Sequence, residues 1–103
     1  LPGVFTPGDV ATSLEFGYKT MKLFPAGCAP KGYHKALKGP YDEANYIAIG
    51  GVTIDNINDY FKEGYMGVGL ASNLMPLSVL KDKNWDLGVS YVQKYVSRVK
   101  RRV

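Results

Sequence analysis

Four short apolar segments recur along the chain: Gly3-Val4-Phe5, Thr20-Met21-Lys22-Leu23-Phe24, Tyr46-Ile47-Ala48-Ile49 and Met66-Gly67-Val68-Gly69-Leu70. Each is closed by Pro or Gly and followed by a helical pattern, as expected of buried parallel strands whose crossovers are helices. After the first strand, Thr6-Pro7-Gly8-Asp9 reads as a helix start, with Thr6 as N-cap, Pro7 at the first helical position and Asp9 near the positive end of the dipole. Val10 and Leu14 form the inner face of that helix and Gly17 stops it. A shorter helix is expected over Lys31 to Leu37, closed by Lys38-Gly39-Pro40. Thr53 is expected to cap a third, with Ile54, Ile57 and Phe61 facing inward and Gly64 ending it. The last helix runs from about Asn84 to Arg101, with Trp85, Val89, Val92, Val96 and Val99 as one apolar stripe. The order is therefore four βα units with a short connecting segment before the last helix. Strand-to-strand repeats of roughly 17 to 26 residues fit consecutive right-handed crossovers.

Two folds are built from such units: an open doubly wound sheet and a closed (β/α)8 barrel, of which this would be half. Glycine-rich strand ends fall on the third and fourth units, and no Gly-x-Gly-x-x-Gly follows the first, so a dinucleotide fold loses ground. With 103 residues, 46% hydrophobic and 21% charged, the chain is composed like an ordinary globular sequence and holds one domain at most. The chain starts without methionine and in mid-pattern, and a piece of something longer is the expectation. The net charge of +4 comes from lysines spread along the chain and one basic run, Arg98, Lys100, Arg101 and Arg102. That run complements the end of a helix dipole in water, so neither nucleic acid nor membrane is expected as a partner. One cysteine, Cys28, excludes an internal disulfide and fits a reducing, cytoplasmic setting.

Lys22 lies inside an apolar strand, where alternation sends Thr20, Lys22 and Phe24 one way and Met21 and Leu23 the other. A buried amine has a lowered pKa and a larger neutral fraction, the form that attacks a carbonyl. The strand pattern alone favours a lysine snorkelling to a strand end. Gly50-Gly51 follows the third strand, and Gly69-Leu70-Ala71-Ser72-Asn73 follows the fourth and is expected to open a short helix before Pro76. Small residues let backbone N–H groups approach an anion, so two such loops on successive strands suit a phosphate as well as they suit tight turns.

Pro2-Gly3-Val4-Phe5-Thr6-Pro7, Lys22-Leu23-Phe24-Pro25-Ala26, Lys35-Ala36-Leu37-Lys38-Gly39-Pro40, Gly50-Gly51-Val52 and Gly67-Val68-Gly69-Leu70-Ala71-Ser72 resemble, in order and spacing, the 2-keto-3-deoxy-6-phosphogluconate / 4-hydroxy-2-oxoglutarate aldolase family. The resemblance runs from residue 2 to about residue 76. It implies a (β/α)8 TIM barrel in which residues 1–103 are the C-terminal half of one domain, supplying roughly strands five to eight. It also implies a class I aldolase that cleaves a 2-keto-3-deoxy-6-phospho sugar acid to pyruvate and glyceraldehyde 3-phosphate, with no cofactor and no metal. The Schiff-base lysine falls on Lys22, its aromatic neighbour on Phe24, a substrate-facing position on Ile49, and the phosphate loops on Gly50, Gly51, Ala71 and Ser72. Two positions depart from the family's common pattern. Ala48-Ile49 stands where Pro-Thr is frequent, although phosphogalactonate-type relatives also place an aliphatic residue there, and Ala71 stands where glycine is common.

The family's general-base glutamate and carboxylate-binding arginine come from early strands that this chain does not contain, so the chain alone is expected to be inactive. The implied partners are the phosphorylated keto acid, pyruvate, the N-terminal half of the barrel and two further copies in a homotrimer. The alternatives are a 4-hydroxy-2-oxoglutarate-type aldolase and a non-catalytic half-barrel that binds a phosphorylated ligand. Elsewhere, His34 reads as a surface or packing histidine, Cys28 as a small structural residue, and Glu15, Asp42, Glu43, Asp55 and Asp59 as solvated carboxylates.

Overall fold

The computed structural model describes residues 1–100, apart from the side chain of Lys100. Arg101 and Arg102, part of the basic run expected to be solvated, lie outside the described residues. The elements are β1 (Gly3–Val4), α1 (Pro7–Glu15), β2 (Thr20–Leu23), a 3-10 turn (Ala26–Cys28), α2 (Tyr33–Lys38), β3 (Asn45–Ile49), α3 (Ile57–Glu63), β4 (Gly67–Gly69), α4 (Leu77–Lys81) and α5 (Trp85–Lys100). The four strands form one parallel sheet in the order β1-β2-β3-β4. Consecutive units thus lie side by side, with β1 and β4 at the two edges.

Local sequence sets the helix starts. The Thr6 hydroxyl accepts from the Asp9 N–H at 3.2 Å, and the Asp9 carboxylate accepts from the N–H groups of Thr6 at 2.9 Å and Phe5 at 3.0 Å. This reciprocal cap, with Pro7 behind it, leaves few orphan donors at the start of α1. α2 begins later than Lys31 because Gly32 sits in the left-handed region, at φ 84°, immediately before it. α3 also starts later than expected. Thr53 and Asn56 bond each other reciprocally, at 2.7 and 3.3 Å, so Thr53 caps a turn and α3 follows only from Ile57. Gly64, at φ 109°, ends α3 as the sequence indicates.

The sheet is covered on one side. Val4, Met21, Leu23, Tyr46 and Ala48 point into a core closed by Val10, Leu37, Val52, Ile57 and Tyr95. Burial of each large aliphatic side chain there contributes about 1.5–3 kcal/mol. Gly3, Lys22, Ile47, Ile49, Gly67 and Gly69 alternate with these residues and lie on the other face, where all remain exposed or half-buried. Apart from Gly3, each of these residues is partly buried, as expected for either side of a parallel sheet, but none is sealed from solvent.

α5 differs from the sequence pattern in which stripe it buries. Gly88 and Tyr95 are buried and Tyr91 and Val99 partly so, whereas Trp85, Val89, Val92 and Val96 are exposed, Trp85 at 61%. The helix carries two apolar stripes, and the described residues cover only one. Gly88 lies on the buried stripe, where a Cβ would stand in ordinary contact with Met75 and Val79 at 3.5–3.7 Å. Among the described residues no helix is long and apolar enough to cross a membrane.

His34 is a packing histidine, 4% exposed, tilted against Tyr65 at 4.3 Å and edge-on to Tyr46 at 5.4 Å. Neither ring nitrogen reaches a hydrogen-bond partner in good geometry. Burial first, and the Lys38 ammonium second, push its pKa below the ordinary 6.5, with the Glu63 carbonyl opposing. The unfolded chain thus binds this proton more readily than the folded one. Stability is fully present above the ordinary value and is lost as pH falls from about 6.5 through the folded-state pKa. Thermal melts between pH ~7 and ~5 should show that loss, and His34→Phe should flatten it. An equally steep fall in the variant would place the proton uptake elsewhere.

Candidate functional site

β2 delivers Lys22 to the uncovered face of the sheet, opposite Gly3 of β1 and Ile47 of β3. Gly3 has no side chain and nothing lies within 4 Å of where its Cβ would stand, so the β1 side of Lys22 is open. The Lys22 ammonium lies 5.3 Å from the centre of the Phe24 ring, within reach of its π face. Gly3, Phe5, Asp9, Lys22 and Phe24 line a recess of about 320 Å³. Lys22 is half-buried, as suits a strand lysine whose amine reaches toward solvent at the strand end.

Phe24 connects the amine to the first glycine loop. It lies so close to Gly50 that a Cβ there would meet its ring at 3.0 Å. Gly50 and Gly51 are both left-handed, at φ 95° and 83°, and a Cβ on Gly51 would come within 2.9 Å of the Gly27 backbone. Only glycine combines that conformation with that approach. The 3-10 turn after β2 is thereby pressed onto the loop after β3, and the Gly27 N–H donates to the Gly50 carbonyl at 2.8 Å.

The second loop folds as a single turn in which the Leu74 N–H donates to the Ala71 carbonyl at 3.1 Å. The short helix expected before Pro76 is not formed; α4 begins only after that proline, at Leu77. The two loops are nevertheless joined, because the Asn73 side-chain amide donates to the Val52 carbonyl at 3.2 Å. Backbone N–H groups of Gly51, Ala71 and Ser72 donate no hydrogen bond to the described residues, and all three residues are exposed. Unspent donors on exposed, small residues are what an oxyanion requires. Ile49 lies between the amine and the second loop, its side chain filling the space above Gly69, where a Cβ would meet Ile49 Cγ1 at 2.8 Å.

The structure thus places Lys22, Phe24, Ile49, Gly50 and Gly51 along one continuous track and fastens Ala71 and Ser72 to its end. Asp9, which the sequence marks only as a helix-dipole residue, also borders the Lys22 recess. Its hydrogen bonds from Thr6 and Phe5 hold its pKa below the usual carboxylate range. It is therefore an ionised cap already engaged with backbone donors and not a free proton acceptor. The side-chain bonds that fasten the loops, from Asn56 to the Gly51 carbonyl, from Asn73 to the Val52 carbonyl and from Tyr95 to the Asn73 carbonyl, are likewise absent from any sequence signal, because their partners are backbone carbonyls. Cys28 is exposed and unpaired. Among the described residues no three His, Cys, Asp or Glu side chains converge as metal ligands.

Residues 1–90 match the family described as KDPG and KHG aldolase. The 2-dehydro-3-deoxy-6-phosphogalactonate aldolase of Escherichia coli K12 is 33% identical over 96 residues, covering 91% of this chain and 46% of that protein. The 2-dehydro-3-deoxy-phosphogluconate aldolase of Pseudomonas aeruginosa is 32% identical over 88 residues, covering 82% of this chain and 39% of that protein. Among solved structures, the KDPG aldolase of Legionella pneumophila, with pyruvate captured at low pH as a covalent carbinolamine, superimposes with a TM-score of 0.80 at 28% identity. That match covers 89% of this chain and 45% of that one. The chain spans less than half the length of these relatives, and its α/β parallel sheet is the one found in them. It belongs to the KDPG and KHG aldolase family.

Proposed function

We propose that this chain is the Schiff-base-forming half of a class I aldolase, with Lys22 as the nucleophile and a 2-keto-3-deoxy-6-phospho sugar acid as substrate. The observation that carries the proposal is the track from the Lys22 amine across Phe24 to Gly50, ending at loops with unspent N–H donors. β2 and β4 are two strand spacings apart, about 10 Å at about 4.8 Å per spacing. That distance suits a substrate whose ketone and phosphate stand at opposite ends of an extended chain. The paired loops favour a phosphorylated acid over a 4-hydroxy-2-oxoglutarate-type substrate, which offers them no phosphate.

The chemistry follows from the amine. Neutral Lys22 Nζ adds to the C2 ketone, and loss of water from the carbinolamine gives a protonated imine. A base removes the proton of the C4 hydroxyl, the C3–C4 bond breaks, and its electron pair flows into the iminium to give an enamine. Glyceraldehyde 3-phosphate leaves as the aldehyde, C3 is protonated, and water hydrolyses the imine to release pyruvate. The iminium provides the electron sink that a Lewis acid would otherwise supply. The base and the carboxylate-binding group belong, on this proposal, to the N-terminal half of a (β/α)8 barrel in which residues 1–103 provide strands five to eight. Closure of that barrel over the open face of the sheet would remove Lys22 from water. A cytoplasmic homotrimer of completed barrels is the assembly proposed.

Incubation with pyruvate and borohydride should leave one reduced pyruvyl group on Lys22, and none in Lys22→Met. An unmodified Lys22 in a folded protein, with the other half supplied, would favour the non-catalytic phosphate binder instead. Alone, the chain should show no sustained condensation of pyruvate with glyceraldehyde 3-phosphate, for want of a base to relay protons. Adding a polypeptide spanning the N-terminal half of a relative should restore turnover. It should also shift the emission of Trp85, the single tryptophan, to the blue as the exposed α5 stripe is covered. Emission that stays unshifted while turnover returns would mean that another surface receives that half.

A further inference from the structure

The first three carbonyls of the loop after β3 are each held by a donor from elsewhere in the chain. Gly50 O accepts from the Gly27 N–H at 2.8 Å, Gly51 O from the Asn56 side-chain amide at 2.9 Å, and Val52 O from the Asn73 side-chain amide at 3.2 Å. In a trans peptide the C=O and the following N–H point in opposite directions. Fixing the Gly50 carbonyl therefore aims the Gly51 N–H the other way, and a loop with its carbonyls restrained cannot turn a negative end toward an anion. Asn73 does this from within the second loop. Its own carbonyl accepts the Tyr95 hydroxyl at 2.6 Å, and Tyr95 is buried in the core from α5. One hydrogen-bonded relay thus runs from α5 through Asn73 to Val52 and joins the loops after β3 and β4.

We infer that Asn73 and Tyr95 are positioning residues that set the separation and orientation of the two loops, and so tune affinity for the phosphate end of the ligand. This rests on the phosphate reading of those loops and adds to it the two side chains that hold them in register. Neither side chain needs to touch the ligand. Asn73 carries an amide where a mere turn residue would serve, and Tyr95 carries a hydroxyl where phenylalanine would pack as well.

The test titrates inorganic phosphate into the 103-residue chain and follows the amide resonances of Gly51, Ala71 and Ser72. Asn73→Ala and Tyr95→Phe, each confirmed folded by circular dichroism, should raise the phosphate dissociation constant about tenfold and about threefold, respectively. Borohydride trapping of pyruvate on Lys22, a ligand without phosphate, should fall less than twofold in both. Asn73→Asp keeps the shape but lacks the donor, and should behave like the alanine variant. Unchanged phosphate affinity in the folded variants overturns the inference. So does an equal loss of phosphate binding and pyruvate trapping, which would mark the pair as general supports of the fold. If the parent chain shows no phosphate-dependent shift, the phosphate reading of the loops fails with it, while Lys22 trapping still judges the aldolase chemistry separately.

Discussion

Burial of one face of the parallel sheet under its helices is the constraint on which the rest depends. Met21, Leu23, Tyr46 and Ala48 are sealed into the core, and strand alternation then leaves no freedom for their neighbours. Lys22, Ile47 and Ile49 must stand on the opposite face. A slip of β2 by one residue would exchange Met21 for Lys22 in the core and put an ammonium among aliphatic side chains, at a cost far above the gain from any single contact. The position of the Lys22 amine is therefore enforced by apolar packing on the far side of its own strand.

The core fixes the strands, but the loops need their own fastenings. The close approach of Gly27 to Gly51 and the hydrogen bonds from Asn56 and Asn73 convert two flexible strand ends into a shaped rim. These contacts spend carbonyls and leave N–H groups, so the rim has a positive character that does not depend on lysine or arginine. On the proposed function the labour divides between side-chain chemistry at Lys22 and backbone electrostatics at the loops, with the Phe24 ring between them.

What the sequence makes legible follows range of interaction. The start of α1 is readable from Thr6, Pro7 and Asp9 because all its partners lie within one helical turn. The side to which Lys22 points is readable from alternation, and the glycine loops from composition. Tyr95 and Asn73 are not readable in this way. Their partners lie 22 and 21 residues away and are backbone carbonyls, which leave no mark on side-chain pattern. The direction of α5 is hidden for a different reason. Two apolar stripes coexist on it, and only tertiary packing, with Tyr95 seated in the core and its hydroxyl bonded to Asn73, separates the buried stripe from the one on which Val92 stays out. The late start of α2 turns on the left-handed backbone of Gly32, a conformation that glycine permits and does not announce.

Gly69 and Ile49 share a single volume across two adjacent strands, since a methyl group on Gly69 would overlap Ile49 Cγ1. Bulk at this spot is limited for the pair together and not for either position alone. A lineage exploring new substrates could shorten residue 49 and enlarge residue 69 in compensating steps, moving the wall of the channel from one strand to the next with little change in packing. Covariation between these two sites would then record ligand preference, even where neither residue taken singly shows a trend.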